Sequence, residues 1–245
     1  MIRGIAQRLT IVLTLVAGAG PVPGAGAHGD LRERIDAVTG QILSNTATPE
    51  LWLQRADLNR QRGDYGAAHS DLDHVFQLRP DWPAACLQRA RIGFDSGHFA
   101  ECEQAASDCL KLDGTSADAF VLRARSLVHL GKPALAVADY DAVLNVTNSA
   151  APLPDLYLER AAALGEMARW EEAIAGLDAG LKRLGSTPSL ALPAIEYERR
   201  RGAFDSALAR LERCRGFFSK ASFDKLKAEI LLERNQSGQA SPGRR

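Results

Sequence analysis

Four arginines recur in the same company. Arg55, Arg89, Arg123 and Arg160 each precede a small alanine, in the strings Trp52-Leu-Gln-Arg-Ala56, Cys86-Leu-Gln-Arg-Ala90, Phe120-Val-Leu-Arg-Ala124 and Tyr157-Leu-Glu-Arg-Ala161. A guanidinium held at a fixed register offers carboxylates a planar fork, either as an anion-binding ladder or as internal ion pairs. Asp71 and Asp139 fall where a second, antiparallel helix would face Arg55 and Arg123, so the pairs Arg55–Asp71 and Arg123–Asp139 are expected to be structural. In the other two copies Ala105 and Gly176 take that place, which directs Arg89 to Asp108 and Arg160 to Asp178.

The remaining reactive side chains are few. Cys102 stands where other copies carry alanine, and Cys109 and Cys214 where they carry valine, so these read as small buried apolar groups. Cys86 takes the aromatic place of its string and should face Cys109, which leaves either a disulfide or two packed thiols. There is no C-x-x-C and no H-x-x-x-H pair. His28 stands apart: cleavage after Ala27 would free its amine beside its imidazole, a nitrogen pair able to chelate copper, or simply the residue left after processing. Serine-hydrolase, zinc-protease and phosphate-loop signatures are missing from the sequence, so no enzyme activity and no cofactor are expected.

The elements that must position these residues follow from a period. The first three arginine strings begin 34 residues apart and the fourth 37 after the third. Seven residues beyond each alanine comes a turn residue, Gly63, Gly97, Gly131 or Ala168, and a fifth, worn copy carries Ile195 and Gly202 at these places. Each unit reads as two helices with an apolar stripe, such as Ala68, Leu72 and Val75, that one hairpin alone cannot cover. The units run 49–82, 83–116, 117–153, 154–187 and 188–221. A helix from Asp30 to Leu43 caps the start (unit 28–48) and one from Ser222 to Arg234 caps the end (222–234). Residues 148–154 form a longer loop that loosens the array slightly, and 235–245 has a disordered composition.

The order aromatic, small residue, glycine turn, alanine, bulky apolar residue and proline resembles the tetratricopeptide repeat. The resemblance implies an all-α, right-handed solenoid of about five helix hairpins. It further implies that the first helices line a groove holding a protein or peptide segment. Carried over position by position, Leu53, Leu87, Val121, Leu158 and Leu192 form the floor, and Asp57, Arg91, Arg125, Ala162 and Glu196 lie one turn on. Phe94 and His129 add to the centre. This makes the middle basic and the ends acidic, so Arg91 and Arg125 are either an anchor for an acidic partner or solvated surface residues. Members that clamp chaperone tails use a lysine and asparagines; Leu53 and Asp57 stand there instead, against that specialised role.

Residues 1–27 are set apart from the fold. Arg3 and Arg8 precede the uncharged run Leu9–Ala19, then Gly20, Pro21 and Pro23 break it before Ala25-Gly-Ala27, as in a cleaved signal peptide. A membrane anchor needs about 20 apolar residues, and this run is shorter. The expected protein is exported, periplasmic or secreted, with a bacterial flavour of leader and composition, and no membrane span after cleavage. With 30 basic and 30 acidic residues among 245, no net field draws it to nucleic acid. The function expected is a non-enzymatic binding scaffold; a copper handler through His28 and a self-assembling module are the alternatives.

Overall fold

A computed structural model describes residues 25–146, 154–185 and 187–239. Residues 1–24, which hold most of the signal peptide expected over 1–27, most of the loop expected over 148–154, and the last six residues lie outside these. Twelve α-helices follow one another, and no strand occurs among the described residues. They are α1 (Ala25–Ser44), α2 (Pro49–Arg62), α3 (Tyr65–Leu78), α4 (Pro83–Asp95), α5 (Phe99–Leu112), α6 (Ala117–His129), α7 (Pro133–Val146), α8 (Pro154–Glu166), α9 (Trp170–Leu184), α10 (Pro188–Arg200), α11 (Phe204–Arg213) and α12 (Lys220–Gln239). A short 3-10 turn, Arg215–Phe217, links the last two. Five helix hairpins, α2–α3 to α10–α11, are thus flanked by a helix at each end. This is the all-α solenoid expected from the repeat.

Local chemistry sets the helix ends. Pro49, Pro83 and Pro188 open their helices at the first turn, where a missing N–H costs nothing. Asp64 and Ser116 cap α3 and α6 by accepting from the amides of Ala67 and Ala119. Within each hairpin the turn residue is left-handed: Gly63, Gly97, Gly131 and Gly202 have φ between 69° and 82°, and Ala168 takes the same place at φ 55°. Pro193 lies well inside α10, not at its start. The backbone bond it denies would have gone to the carbonyl of Ser189, an exposed residue.

The hairpins close on small side chains. Ala56 and Ala68, Ala90 and Cys102, Ala124 and Ala136, and Ala161 and Ala173 are all buried at these crossings. At Gly93 the approach is closer still: a Cβ there would stand 2.9 Å from the backbone nitrogen of Cys102. Larger residues fill the space between hairpins. Leu72 and Val75 of the first meet Ala85 and Ile92 of the second, and Tyr157 and Leu177 of the fourth meet Leu190 and Ala194 of the fifth. Each fully buried leucine contributes about 1.5–3 kcal/mol. At the ends, Ile35, Val38 and Ile42 of α1 cover Leu58, while Phe223 and Ile230 of α12 cover Ile195 and Leu211.

Both end helices depart from expectation. α1 begins at Ala25, so Asp30, the expected start, is inside the helix. α12 continues through 235–239, a stretch whose polar composition suggested disorder. Ser237 accommodates itself there by donating to the carbonyls of Glu233 and Arg234.

Candidate functional site

The first helices of successive hairpins pack side by side, α2 on α4, α4 on α6 and α8 on α10. Among the described residues the second helices make no comparable contacts with one another. A stack that is tighter on one side bends toward it, so the first helices line the concave wall. The step from α6 to α8 lacks the close packing of the others. It coincides with the three extra residues between the third and fourth copies.

The residues expected to form the floor lie on the first helices and are only partly covered. Leu53, Leu87, Val121 and Leu158 are half-buried, and Leu192 is 40% exposed. Phe94 and His129, both expected at the centre, are in ring contact with each other, and Phe99 joins them. The His129 ring stacks on Phe99 with centroids 4.0 Å apart, and Phe94 stands edge-on to both. Among the described residues no three His, Cys, Asp or Glu side chains converge as a metal site would require. The His28 side chain lies outside the described residues.

The charges are not as expected. Arg125 grips Glu159 of the next hairpin through Nε and Nη2 at 2.9 and 2.7 Å, and Glu159 also accepts from the Tyr140 hydroxyl at 2.9 Å. The carboxylate holds the Arg125 guanidinium more firmly protonated than usual. Arg91 reaches Asp118 at 2.6 Å. Burial pushes the Asp57 carboxyl up, but hydrogen bonds from Arg60, Gln88 and Gln61 outweigh it and hold the group below its ordinary value. Glu196 is held by Arg199 and Arg200. The wall therefore has no free basic middle and no free acidic ends. Its polar groups form ties between neighbouring hairpins, Gln88–Asp57, Arg60–Asp95, Arg91–Asp118 and Arg125–Glu159, and from the last hairpin to the end helix α12, Arg199–Glu233. The partners Asp118, Glu159 and Glu233 were missed in the sequence. Only a period signal pointed to two of them, since Glu159 and Glu233 each follow their arginine by 34 residues.

Behind the wall the arginine row is structural. Arg55 holds Asp71 with Nη2–Oδ1 at 2.6 Å, and Arg123 holds Asp139 at 2.7 and 2.8 Å. Both pairs were expected. Arg89 and Arg160 behave otherwise than expected: Arg89 reaches Asp73 at 3.5 Å and Arg160 binds Asp141, each on the preceding hairpin. Asp178 is taken by Arg210, and Asp108 by Lys111 and Gln104. The reason is that each guanidinium lies at a seam between hairpins. Arg55 and Arg123 reach back the same way, to Thr39 and Ser107. Cys86 and Cys109 share one cluster with Ala119 but are free thiols, so the disulfide is not formed; the Cys109 thiol donates to the Pro83 carbonyl instead. Cys102 and Cys214 are buried as their places implied.

No family model matches the chain, and no curated protein matches it in sequence. Solved structures do. YrrB, described as a TPR protein with an unusual peptide-binding site, is similar with a TM-score of 0.65 and 14% identity over 80% of this chain and 99% of its own. The C-terminal part of a TPR repeat-containing protein from Cytophaga hutchinsonii gives 0.67 and 15% over 86% and 82%. PilF from Pseudomonas aeruginosa gives 0.61 and 13% over 84% and 93%. The architecture of this chain is that of a tetratricopeptide-repeat solenoid.

Proposed function

We propose that this chain is an exported, non-enzymatic scaffold that holds a segment of a partner protein against the wall of first helices. The observation that carries the reading is the apolar row Leu53, Leu87, Val121, Leu158 and Leu192, which the solenoid's own packing leaves partly open. The likeness to a TPR protein with a peptide-binding site supports it. So does the lattice of ties, because a wall whose charges are already paired presents an apolar surface of fixed curvature. Recognition through Leu87 and Val121 replaces recognition through Arg91 and Arg125, whose reversal would cut ties between hairpins.

The test is a photo-crosslinking residue placed at Leu87 or Val121 in the chain expressed in its own source, with exposed Gln104 of α5 as the control position. One protein crosslinked from both wall positions and not from Gln104 supports the reading. Equal crosslinking from all three, or none from the wall, overturns it. Export is tested by fractionation and N-terminal sequencing: an envelope protein beginning at His28 is expected, and a cytoplasmic chain retaining Met1 sinks that part.

A further inference from the structure

We propose that the cleft between α3 and α5 is a carboxylate-binding seat whose recognising group is Arg89. The seat lies behind the wall of first helices and is independent of the groove reading.

The repeat supplies its own comparison. In the first and third hairpins the arginine fork is filled by an aspartate from the second helix, Asp71 for Arg55 and Asp139 for Arg123. In the second hairpin that place is Ala105. Arg89 is left with one marginal contact, 3.5 Å to Asp73, whose side chain is 70% exposed, and with the face of Phe76, 4.2 Å from its guanidinium carbon. The fourth hairpin also lacks the aspartate, but there Arg160 has moved into the space. Its Nη1 lies 2.6 Å from where a Cβ on Gly176 would be, and Asp141 binds it. Neither Arg89 nor Arg160 has a bidentate carboxylate, but Arg160 gives its Nε to Asp141 and lays its Nη1 against Gly176, while Arg89 keeps only the marginal contact to Asp73.

A cleft of about 310 Å³ opens beside this fork, lined by Phe76, Pro80, Cys86, Arg89, Ala105 and Lys111 among others. It has room for a short aliphatic acid. Asp81 and Asp108 also line it, so the charges around the cleft balance. Asp108 is occupied by Lys111 at 2.7 Å and by Gln104, and its carboxyl is held below its ordinary value first by the Lys111 bond. With no net field, small spherical anions gain little, while a planar carboxylate gains two parallel hydrogen bonds. The ligand class is therefore a carboxylate on a short apolar stem, carried by a small free acid or by an acidic residue of a partner chain.

The experiment follows the arginine Nε–H resonances of the folded protein by NMR. Succinate is titrated in one arm and an acetylated, amidated Gly-Asp-Gly peptide in the other, against sodium chloride at equal ionic strength. Arg89→Gln identifies the resonance and removes the fork. Ala105→Asp supplies the missing aspartate internally. The expected result is a saturable shift of the Arg89 signal in the wild type that is weakened by more than about tenfold in Ala105→Asp, with helicity unchanged. Saturation by succinate alone identifies a free acid as the source, by the peptide alone a protein-borne acid, and by both the shared chemistry. Shifts no different from those with chloride, or saturable binding that survives both variants, overturn the proposal.

Discussion

The Arg125 guanidinium meets the Glu159 carboxylate across the step from α6 to α8, where the two first helices make little other contact. Elsewhere along the wall, apolar packing and polar ties act together. Here the tie carries a larger share, reinforced by the Tyr140 hydroxyl. A double-mutant cycle with Arg125→Ala and Glu159→Ala is expected to give a coupling of about 1 kcal/mol, at the upper end for a pair this exposed. Hydrogen exchange should rise in α8 and stay unchanged in α2 and α3. A coupling near zero would mean that the unit bends about this step without needing the pair.

Asp71 and Asp73 stand two residues apart on α3, and both face arginines, yet their removal should differ widely. Asp71 is 2% exposed and takes bonds from Arg55 and Asn59. Asp71→Ala leaves a half-buried guanidinium without its carboxylate and is expected to cost about 3 kcal/mol in urea unfolding. Asp73 makes one long contact to Arg89 from an exposed position, so Asp73→Ala should change stability by less than about 0.5 kcal/mol. Equal losses would show that the arginine row works as a diffuse field and not through paired forks.

The contrast explains what could be read from the chain beforehand. Helices, turns and seams repeat every 34 residues, with one step of 37, so Ala56, Gly63 and their counterparts announce their own places. The pairs within one hairpin, Arg55–Asp71 and Arg123–Asp139, were legible because an antiparallel pair fixes which residues face each other. Pairs between hairpins were not. Whether Arg89 turns to Asp108 or back to Asp73 depends on the superhelical offset, which no single copy encodes. The same offset neutralised Arg91 and Arg125, by Asp118 and Glu159, and emptied the wall of the charge pattern expected from its own helices. Cys86 and Cys109 were rightly brought together, but proximity in a register is a weaker condition than disulfide geometry.

The thiols carry a pH dependence. Burial pushes Cys86, Cys102 and Cys109 above their ordinary value of 9.0, so the folded chain holds these protons more tightly than the unfolded one. Stability from this source is full below pH 9.0 and falls as pH rises through the folded values. Unfolding free energy should therefore decline on the alkaline side, and the decline should shrink in a Cys86→Ala/Cys102→Ala/Cys109→Ala variant. An aromatic disulfide reagent at pH 8 should label the native thiols more than about tenfold more slowly than free cysteine. Rapid labelling of any of the three would show that its seam opens in the native state.

Ala168 occupies a turn position that the other four hairpins give to glycine. It is the one non-glycine with positive φ among the described residues. Its amide still closes the α8 end by donating to the Gly165 carbonyl, and the Arg169 amide donates to that of Leu164, so the turn is made in full. What the side chain adds is the clash of a Cβ in left-handed backbone, about 1 kcal/mol. Ala168→Gly removes that clash but gives the unfolded chain more freedom, which offsets part of the gain. The net expectation is a stabilisation of about 0.5 kcal/mol in chemical denaturation, while Gly131→Ala at the matching turn should destabilise by about 1 kcal/mol. If Ala168→Gly destabilises instead, the fourth turn is held by contacts of the alanine methyl, and the departure from glycine there is a packing choice.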